Sequence, residues 1–393
     1  MGPVAITLLL GLSFAAFAWL ATRKLALVAR LAPEPRLDDV VARLRTLLVD
    51  GLLQRRMIRG EWRPGLMHAV IFLGFLLLLL RKLQLIAIGY DPLHAATGPA
   101  GALFATAKDV VALAVLLAVG YALYRRLLLR PRRLEPNREA LVVLGLIALI
   151  MVSDAAFDGF RFAWLADAHA GIAYERDHAP LGGALAAWLK GLGPATLEAG
   201  AHASYWLQMA TVLSFLVLLP TGEHFHIVTG LPALFLRRGA PANRAPPVDL
   251  ERLMADEDGD AVRVGARSAA DLTWKEGLDV FTCTECGRCK DACPTFLTGK
   301  PLSMKAVNDA LKSQLLDQRT AIMAGGDASA ALPPLVPGVI GEDTLWACTS
   351  CGYCEDACPI QLEHLPRFYR LRQHRVMMDG EFPHELKAVF RAY

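Results

Sequence analysis

Two runs of cysteine in the C-terminal half have the spacing of iron–sulfur ligands. CTECGRCKDACP begins at Cys283 and CTSCGYCEDACP begins at Cys348. Both follow C-x2-C-x2-C-x3-C-P, and in ferredoxins with two [4Fe–4S] clusters the fourth cysteine of each run binds the other cluster. The pattern therefore assigns one cluster to Cys283, Cys286, Cys289 and Cys358, and the other to Cys348, Cys351, Cys354 and Cys293.

A pair of zinc sites is the alternative for the same cysteines. Zinc motifs usually supply cysteines in pairs, whereas this chain has two matching runs of four, each followed by proline. All eight cysteines lie between Cys283 and Cys358, so none remains for a disulfide framework. A reducing compartment is therefore expected for this part of the chain.

The elements that must position these residues fall into a membrane part and a soluble part. Hydrophobic residues make up 54% of the chain and charged residues only 20%, and the apolar runs lie before residue 230. A net charge of +3 gives no case for nucleic acid as a partner. Segments near the ~20 residues needed to cross a bilayer are predicted at 4–22, 64–89, 109–129, 139–160 and 203–228.

The distribution of arginine predicts the orientation of these spans. The loops after the first and third spans are rich in arginine, whereas 90–108 and 161–202 contain little Lys or Arg. The positive-inside rule then places the N-terminus outside and the cysteine-rich part in the cytoplasm, in a multi-pass protein of the inner (cytoplasmic) membrane. The first span is expected to be a retained anchor, and Arg81 with Lys82 to snorkel to the outer interface or to contact a quinone or haem propionate.

The fold expected is all-α: a five-helix transmembrane bundle followed by an α-helical ferredoxin with two clusters. A helix is predicted from about Ser303, with Ser303 as its N-cap, and another in the tail from residue 361. A short surface helix is expected around 181–191. The predicted domains are 1–233 in the membrane, a linker at 234–272 rich in Pro, Ala and charge, and 273–393 in the cytoplasm.

Three histidines lie where they could bind a haem between membrane helices. His68 lies near the start of the second span, and His224 and His226 lie at the end of the fifth. All three would lie at a similar, cytoplasmic depth, and ionisable residues inside spans often mark functional sites. The residues alone leave open whether they bind a haem or are inert and wetted. His364, His374 and His384 are expected on the surface.

Several segments resemble membrane-bound iron–sulfur oxidoreductases related to heterodisulfide reductase, which include electron-transfer-flavoprotein:menaquinone oxidoreductases. They are RPGLMHAVIFLGF, LLPTGEHFHIVT, CTECGRCKDACPTFLTGKPLS, LWACTSCGYCEDACP and EHLPRFYRLRQHRVMMDGEFPHEL. The resemblance covers nearly the whole chain, and the N-terminal part is similar to the gamma subunit of respiratory nitrate reductase. It implies a haem b membrane domain.

The resemblance implies one haem b, held by His68 and His226 as axial ligands. The gamma subunit holds two haems with two histidines on each of two helices. Leu78 and Gln208 stand where the histidines for the outer haem would be. On a regular helix His224 would face roughly 200° away from His226, so it is assigned as a neighbour of the haem or of a quinone.

The resemblance also implies the function. Electrons would move between a cytoplasmic donor and the quinone pool, with menaquinone as the expected quinone, in contact with membrane lipid. Relatives usually continue into a cysteine-rich CCG region that is expected to be missing here, so a separate CCG-domain or flavoprotein subunit is an expected partner. A non-catalytic conduit or membrane anchor of a larger redox complex is the alternative, while an iron–sulfur sensor has little support.

Overall fold

The computed structural model describes residues 2–134, 137–255 and 264–392. The described ranges are mainly helical and contain no β-strand, only an isolated bridge between Ala32 and Thr273. The expected all-α fold class is therefore confirmed.

The chain divides into two compact units, and the division differs from the predicted domains. The first unit comprises Met1–Leu20 and Met57–Gly222, and the second comprises Ala21–Arg56 and Glu223–Tyr393. The segment after the first span thus belongs with the cysteine-rich part. Within the predicted linker a short helix covers Leu250–Met254, and residues 256–263 lie outside the described ranges.

The first unit is built from long apolar helices. Among the described residues, five helices are long and apolar enough to span a membrane, as predicted. Helix α4 packs most extensively against α7 and against the short helix α6, which is the surface helix predicted around 181–191. The helices are α1 Pro3–Arg30, whose last ten residues belong to the other unit, α2 Trp62–Tyr90, α3 Gly98–Tyr124, α4 Arg138–Leu165, α5 Ala170–Asp177, α6 Pro180–Leu189 and α7 Pro194–Leu218.

The fifth span does not run to His226, so this expectation was wrong. Helix α7 ends at Leu218, and Glu223–Phe225 form a separate 3-10 turn. Pro220 has no N–H to continue the helical hydrogen bonds. A Cβ at Gly222 would collide with the carboxylate of Glu139, so the chain passes close to α4 at this point. Gln208 and the two histidines therefore lie on different helices.

In the described part of the second unit, four helices that lie wholly within it have nine or more residues. The side chain of Thr273 accepts from Glu276 N–H while Glu276 accepts from Thr273 N–H, so the helix that ends just before Cys283 begins with a capping box. Ser303 caps the next helix through the N–H of Ala306 at 3.3 Å, as predicted. These helices are α8 His226–Phe235, α9 Trp274–Thr282, α10 Met304–Asp317 and α11 Leu365–Met377.

Shorter helical segments complete the chain. A π-helical turn, Arg125–Leu129, follows α3. The remaining helices have three to seven residues. They are Val40–Thr46, Leu47–Leu52, Arg55–Gly60, Ala269–Asp271, Arg288–Asp291, Pro294–Leu297, Arg319–Ala324, Gly326–Ala330, Glu342–Trp346, Tyr353–Ala357, His384–Leu386 and Lys387–Arg391.

Candidate functional site

Four cysteines from both runs line one cavity in the second unit. Cys283, Cys286 and Cys289 come from the first run, and Cys358 comes from the end of the second. The cavity wall also includes Leu362, whose N–H lies 3.5 Å from the sulfur of Cys358. This is the crossed grouping predicted from the ferredoxin spacing, and we call these four residues the first cysteine set.

The other four cysteines form the second cysteine set. Cys293 interacts electrostatically with both Cys348 and Cys354, although it comes from the other run. The hydroxyl of Thr295 donates to the carbonyl of Ala347 at 3.2 Å and so joins the two runs beside these residues. Cys351, unlike the buried Cys293, Cys348 and Cys354, is exposed to solvent.

The duplication extends to the backbone around each set. Glu285 and Ser350 stand at the same position of their runs, with φ of 52° and 57°. Gly287 and Gly352 also correspond, with φ of 76° and 80°, a region that glycine enters without the steric cost of a Cβ. These left-handed residues flank Cys286 and Cys351, and they curl each loop around its sulfurs. The N–H groups of Glu285 and Ser350 donate to the sulfurs of Cys283 and Cys348.

The chemistry of the cysteine sets fits iron–sulfur clusters. Burial raises the pKa of the thiols of Cys283, Cys289 and Cys358, so the cysteines would ionise only against a strong positive charge such as iron. The cysteines of the first set line a cavity, whereas ligands of one metal ion would converge on a single point. Within the described ranges, no three His, Cys, Asp or Glu side chains meet closely enough to hold a single metal ion.

The segment that carries His224 and His226 packs within the same unit as the cysteine sets. The Nδ1–H of His226 donates to the carbonyl of Glu223 at 2.8 Å, which leaves Nε2 as the available ring nitrogen. Burial lowers the pKa of His226 to about 4, so the imidazole is neutral at ordinary pH. Metal-binding histidines need this neutral form and usually donate their second nitrogen to a carbonyl or carboxylate.

The expected opposition of the two imidazoles does not occur. The ring centroids of His224 and His226 lie 6.0 Å apart, so the rings are neighbours. The prediction assumed one regular helix, whereas His224 lies in a 3-10 turn and His226 is the first residue of α8. His68 is half-buried on α2 and belongs to the first unit, so it is not part of this segment.

Two histidines expected on the surface are buried instead. His364 and His374 are 2% and 7% exposed, and His384 is exposed as predicted. His364 lines the cavity of the first cysteine set. The tail helix α11 buries one face, which contains Arg367, Phe368, Leu371 and His374. Their spacing of three and four residues was a usable signal, because polar residues shared a stripe with Phe368 and Leu371.

Sequence reasoning also missed the polar residues around the cysteine sets. Asn308 on α10 donates from its side chain to the sulfur of Cys283. Lys312, one turn further on, lies near Cys283 and pairs with Glu285, with Nζ and Oε1 2.5 Å apart. Beside the second set, Arg372 donates to the carbonyl of Cys348 at 2.5 Å. The sequence from Ser303 predicted the helix α10, but no motif indicated that this helix contacts the cysteines.

The first unit contains a buried network of charges that overturns the snorkelling expectation for Arg81. Arg81 is 0% exposed, and it donates to Asp158 at 2.5 Å and to Asp154 at 3.1 Å. Lys108 lies 2.5 Å from Asp158 and 2.6 Å from Asp109. Each of these charges has an opposite partner at hydrogen-bond distance, so the side chains can stay inside the unit.

The positions where the resemblance implied missing haem histidines are filled by packed side chains. Leu78 is 4% exposed and Gln208 is 0% exposed. With its amide oriented to satisfy its neighbours, Gln208 donates to the carbonyl of Ile150 at 2.9 Å and accepts from Lys82 Nζ at 2.6 Å. Lys82 thus reaches toward Gln208 in the bundle.

Comparison with known proteins agrees with the cysteine pattern. Residues 279–362 match the family of 4Fe-4S dicluster domains. This match supports iron–sulfur clusters over the zinc alternative. No solved structure shows a significant match.

Two relatives resemble the chain over most of its length, and a third resembles about a third of it. The probable iron-sulfur-binding oxidoreductase FadF of Bacillus subtilis (strain 168) is 28% identical over 93% of this chain and 54% of that protein. The EtfAB:quinone oxidoreductase of Syntrophomonas wolfei is 28% identical over 90% of this chain and 52% of that protein. A probable membrane-anchored ferredoxin of Chromohalobacter salexigens is 30% identical over 32% of this chain and 21% of that protein.

The chain spans about half the length of the first two of these relatives. Its five apolar helices and its dicluster domain correspond to what the relatives' names describe, a membrane attachment and iron–sulfur centres. The chain is therefore similar to proteins named as iron–sulfur-binding or quinone oxidoreductases and as a membrane-anchored ferredoxin.

Proposed function

We propose that this chain transfers electrons between a soluble protein partner and a quinone in the membrane. The two cysteine sets would hold two [4Fe–4S] clusters, and His68 with His226 would hold one haem b. Bound clusters and haem supply one-electron carriers, while the protein places them and tunes their potentials. The residues described above supply the ligands, their hydrogen bonds and their surrounding charges.

One observation carries this proposal: the first cysteine set and the His226 segment are joined by two packed helices. Helix α9 ends one residue before Cys283 and packs against α8, which begins at His226. The Oγ1 atoms of Thr282 and Thr229 lie 2.9 Å apart in this contact. A short, rigid connection of this kind favours electron transfer from the cysteine sets toward the histidines.

The same contact is reinforced around Phe225, the residue between the two histidines. Phe225 is 1% exposed, and Phe281 on α9 is 2% exposed. Lys24 Nζ lies 5.3 Å from the ring centroid of Phe225 and 5.6 Å from that of Phe281, within the range of cation–π attraction. Phe225 therefore anchors the segment, while His224 and His226 on either side stay half-buried.

Contacts inside the second unit support a cytoplasmic location for the cysteine sets. Arg36 donates two hydrogen bonds to Glu363, both of 2.9 Å, and Arg56 lies 3.2 Å from Asp356. Both arginines belong to the loop after the first span. Because groups in contact lie on one side of a membrane, the cysteine-rich part shares the side of an arginine-rich loop. The positive-inside rule makes that side cytoplasmic.

The partner and the quinone are proposed from the relatives. One relative is named an EtfAB:quinone oxidoreductase. On this basis an electron-transfer flavoprotein, directly or through a CCG-domain subunit, is the proposed donor, and the resemblance favours menaquinone as the acceptor. Electrons would then enter near exposed Cys351 and leave on the membrane side.

Reduction of menaquinone by the purified chain in lipid nanodiscs would test this function. A chemical reductant is supplied, and haem absorbance and quinol are followed together. We expect a haem b spectrum that is reduced and then reoxidised as quinol forms. A haem that becomes reduced but never passes electrons to the quinone would contradict the proposal. It would favour the alternative of a non-catalytic electron conduit in a larger redox complex.

A further inference from the structure

Arg367 is a fully buried guanidinium next to the first cysteine set. It lies on α11 and is 0% exposed. Its Nη2 donates to Asn308 Oδ1 at 2.6 Å and lies 3.3 Å from His364 Nδ1. In the part of the chain that the structure describes, its Nε and Nη1 have no hydrogen-bond partner. A buried cation in this state is costly unless a negative charge lies nearby.

The carboxylates nearest Arg367 hydrogen-bond to other groups, although Glu276 and Asp279 also attract its charge. Glu276 pairs with Arg370 at 2.5 Å, and Asp279 pairs with Lys275 at 2.6 Å. Glu355 accepts from the N–H groups of His364 and Leu365 at 2.8 and 2.7 Å. The sulfur of Cys283, which becomes a thiolate when it binds iron, is a further group that attracts the charge of Arg367.

Asn308 links the guanidinium to that sulfur. Its carbonyl oxygen accepts from Arg367, while its side chain donates to Cys283. A cation that binds the oxygen of an amide strengthens the amide N–H as a donor, because successive hydrogen bonds polarise one another. Asn308 is 1% exposed, so water does not screen the hydrogen bonds that lead from Arg367 through Asn308 to Cys283. The arrangement therefore directs positive charge toward the first cysteine set.

We propose that Arg367, acting directly and through Asn308, raises the reduction potential of the cluster held by the first cysteine set. This inference rests on the proposed iron–sulfur assignment. The cluster gains one electron on reduction, so its negative charge increases, and a nearby fixed cation stabilises the reduced form. Arg367 is thus a positioning and tuning residue for the cluster nearest α9 and the His226 segment.

The second cysteine set has a different environment. The Nη groups of Arg372 donate to the carbonyls of Leu345 and Cys348, at 2.7 and 2.5 Å, and to the Ser350 hydroxyl at 3.0 Å. Arg372 is therefore a matched control, because it is an arginine of the same helix beside the other set.

A redox titration followed by electron paramagnetic resonance tests the proposal on the full chain in detergent. The variants are Arg367→Met, Arg367→Lys, Asn308→Leu and Arg372→Met, and Cys286→Ser identifies the signal of the first set. We expect Arg367→Met and Asn308→Leu to lower the midpoint potential of that signal only. Arg367→Lys should keep the midpoint potential of that signal close to its value in the unaltered chain, and Arg372→Met should leave this midpoint potential unchanged.

The outcomes separate this inference from the proposed function. If the unaltered chain contains no iron and sulfide, the function itself fails. If it is loaded and Arg367→Met leaves every midpoint unchanged, or shifts both signals equally, the inference about Arg367 is overturned alone. If Arg367→Met loses iron, the midpoint potential of Asn308→Leu becomes the deciding measurement. This substitution removes the amide that links Arg367 to Cys283, while it keeps the charge of Arg367 and a similar side-chain size at position 308. An unchanged midpoint in Asn308→Leu, with iron retained, would then overturn the proposal.

Discussion

The Oγ1 atoms of Thr229 and Thr282 lie 2.9 Å apart, and they join the helix that begins at His226 to the helix that ends before Cys283. Both residues are at most 2% exposed. The segment that carries His224 and His226 is thus connected, through packed helices, to the segment that begins at Cys283.

Substitution of single cysteines should reveal the crossed grouping. Cys358→Ser should perturb the same spectroscopic signal as Cys286→Ser, because both residues line one cavity. Cys293→Ser should instead perturb the signal altered by Cys351→Ser. Electron paramagnetic resonance with iron analysis checks this. A Cys358→Ser variant that alters only the signal of Cys351→Ser would contradict the grouping.

The two histidines of the segment should differ in their effect on haem. His226→Ala should abolish the haem b spectrum, because His226 is oriented by Glu223 with Nε2 left for a metal. His224→Ala should leave the spectrum in place. Visible absorption of the purified variants, normalised to iron content, measures both. Haem retained in His226→Ala but lost in His224→Ala would reverse the assignment.

The buried charges of the membrane unit should be essential for its stability. Asp158→Asn removes the carboxylate shared by Arg81 and Lys108. Breaking a buried pair in this way typically costs about 3–5 kcal/mol, so Tm in detergent should fall markedly. Asp167→Asn is the control, because Asp167 pairs with Arg176 at an exposed site and should cost less than about 1 kcal/mol. Equal Tm values for both variants would disprove the structural role.

Acid should weaken the second unit through Glu363. Burial alone would raise its pKa, but Lys275 and Arg36 outweigh burial and lower it to about 2. Because the folded pKa is depressed, the stabilisation is complete above the ordinary pKa and is lost as the pH falls from about 4.5 toward 2. The Tm difference between the unaltered chain and Glu363→Gln should therefore narrow at acid pH.

An exposed residue provides the control for this pH experiment. Glu381→Gln should leave Tm within error at every pH, because Glu381 lies on the surface. If the decrease in Tm caused by Glu363→Gln stayed constant from about pH 6 to pH 3, the ion pairs of Glu363 would not be its source.

The sequence predicted features that depend on local pattern. The spans follow from apolar length, and Ser303 caps its helix as its residue type indicates. The crossed cysteine grouping stays a prediction from fixed spacing, and four of its cysteines line one cavity. In each case a single segment, or a repeat with a known architecture, contains the information.

The features that could not be predicted depend on contacts distant in sequence. Arg36 meets Glu363 across 327 positions, and Arg81 meets Asp158 across 77. The arginine content of its loop assigned Arg36 to membrane topology. The position of Arg81 in a span predicted snorkelling or contact with a quinone or haem propionate, because its carboxylate partners are distant in sequence. The helix break after Leu218 also escaped notice, although Pro220 was a signal for it.

The most direct measurement is the cofactor content of the purified chain, from iron, sulfide and zinc analysis with visible and electron paramagnetic resonance spectra. The account predicts two [4Fe–4S] clusters and one haem b per chain, with the haem signal reducible through the clusters. Zinc in place of iron, or two haems per chain, would contradict it.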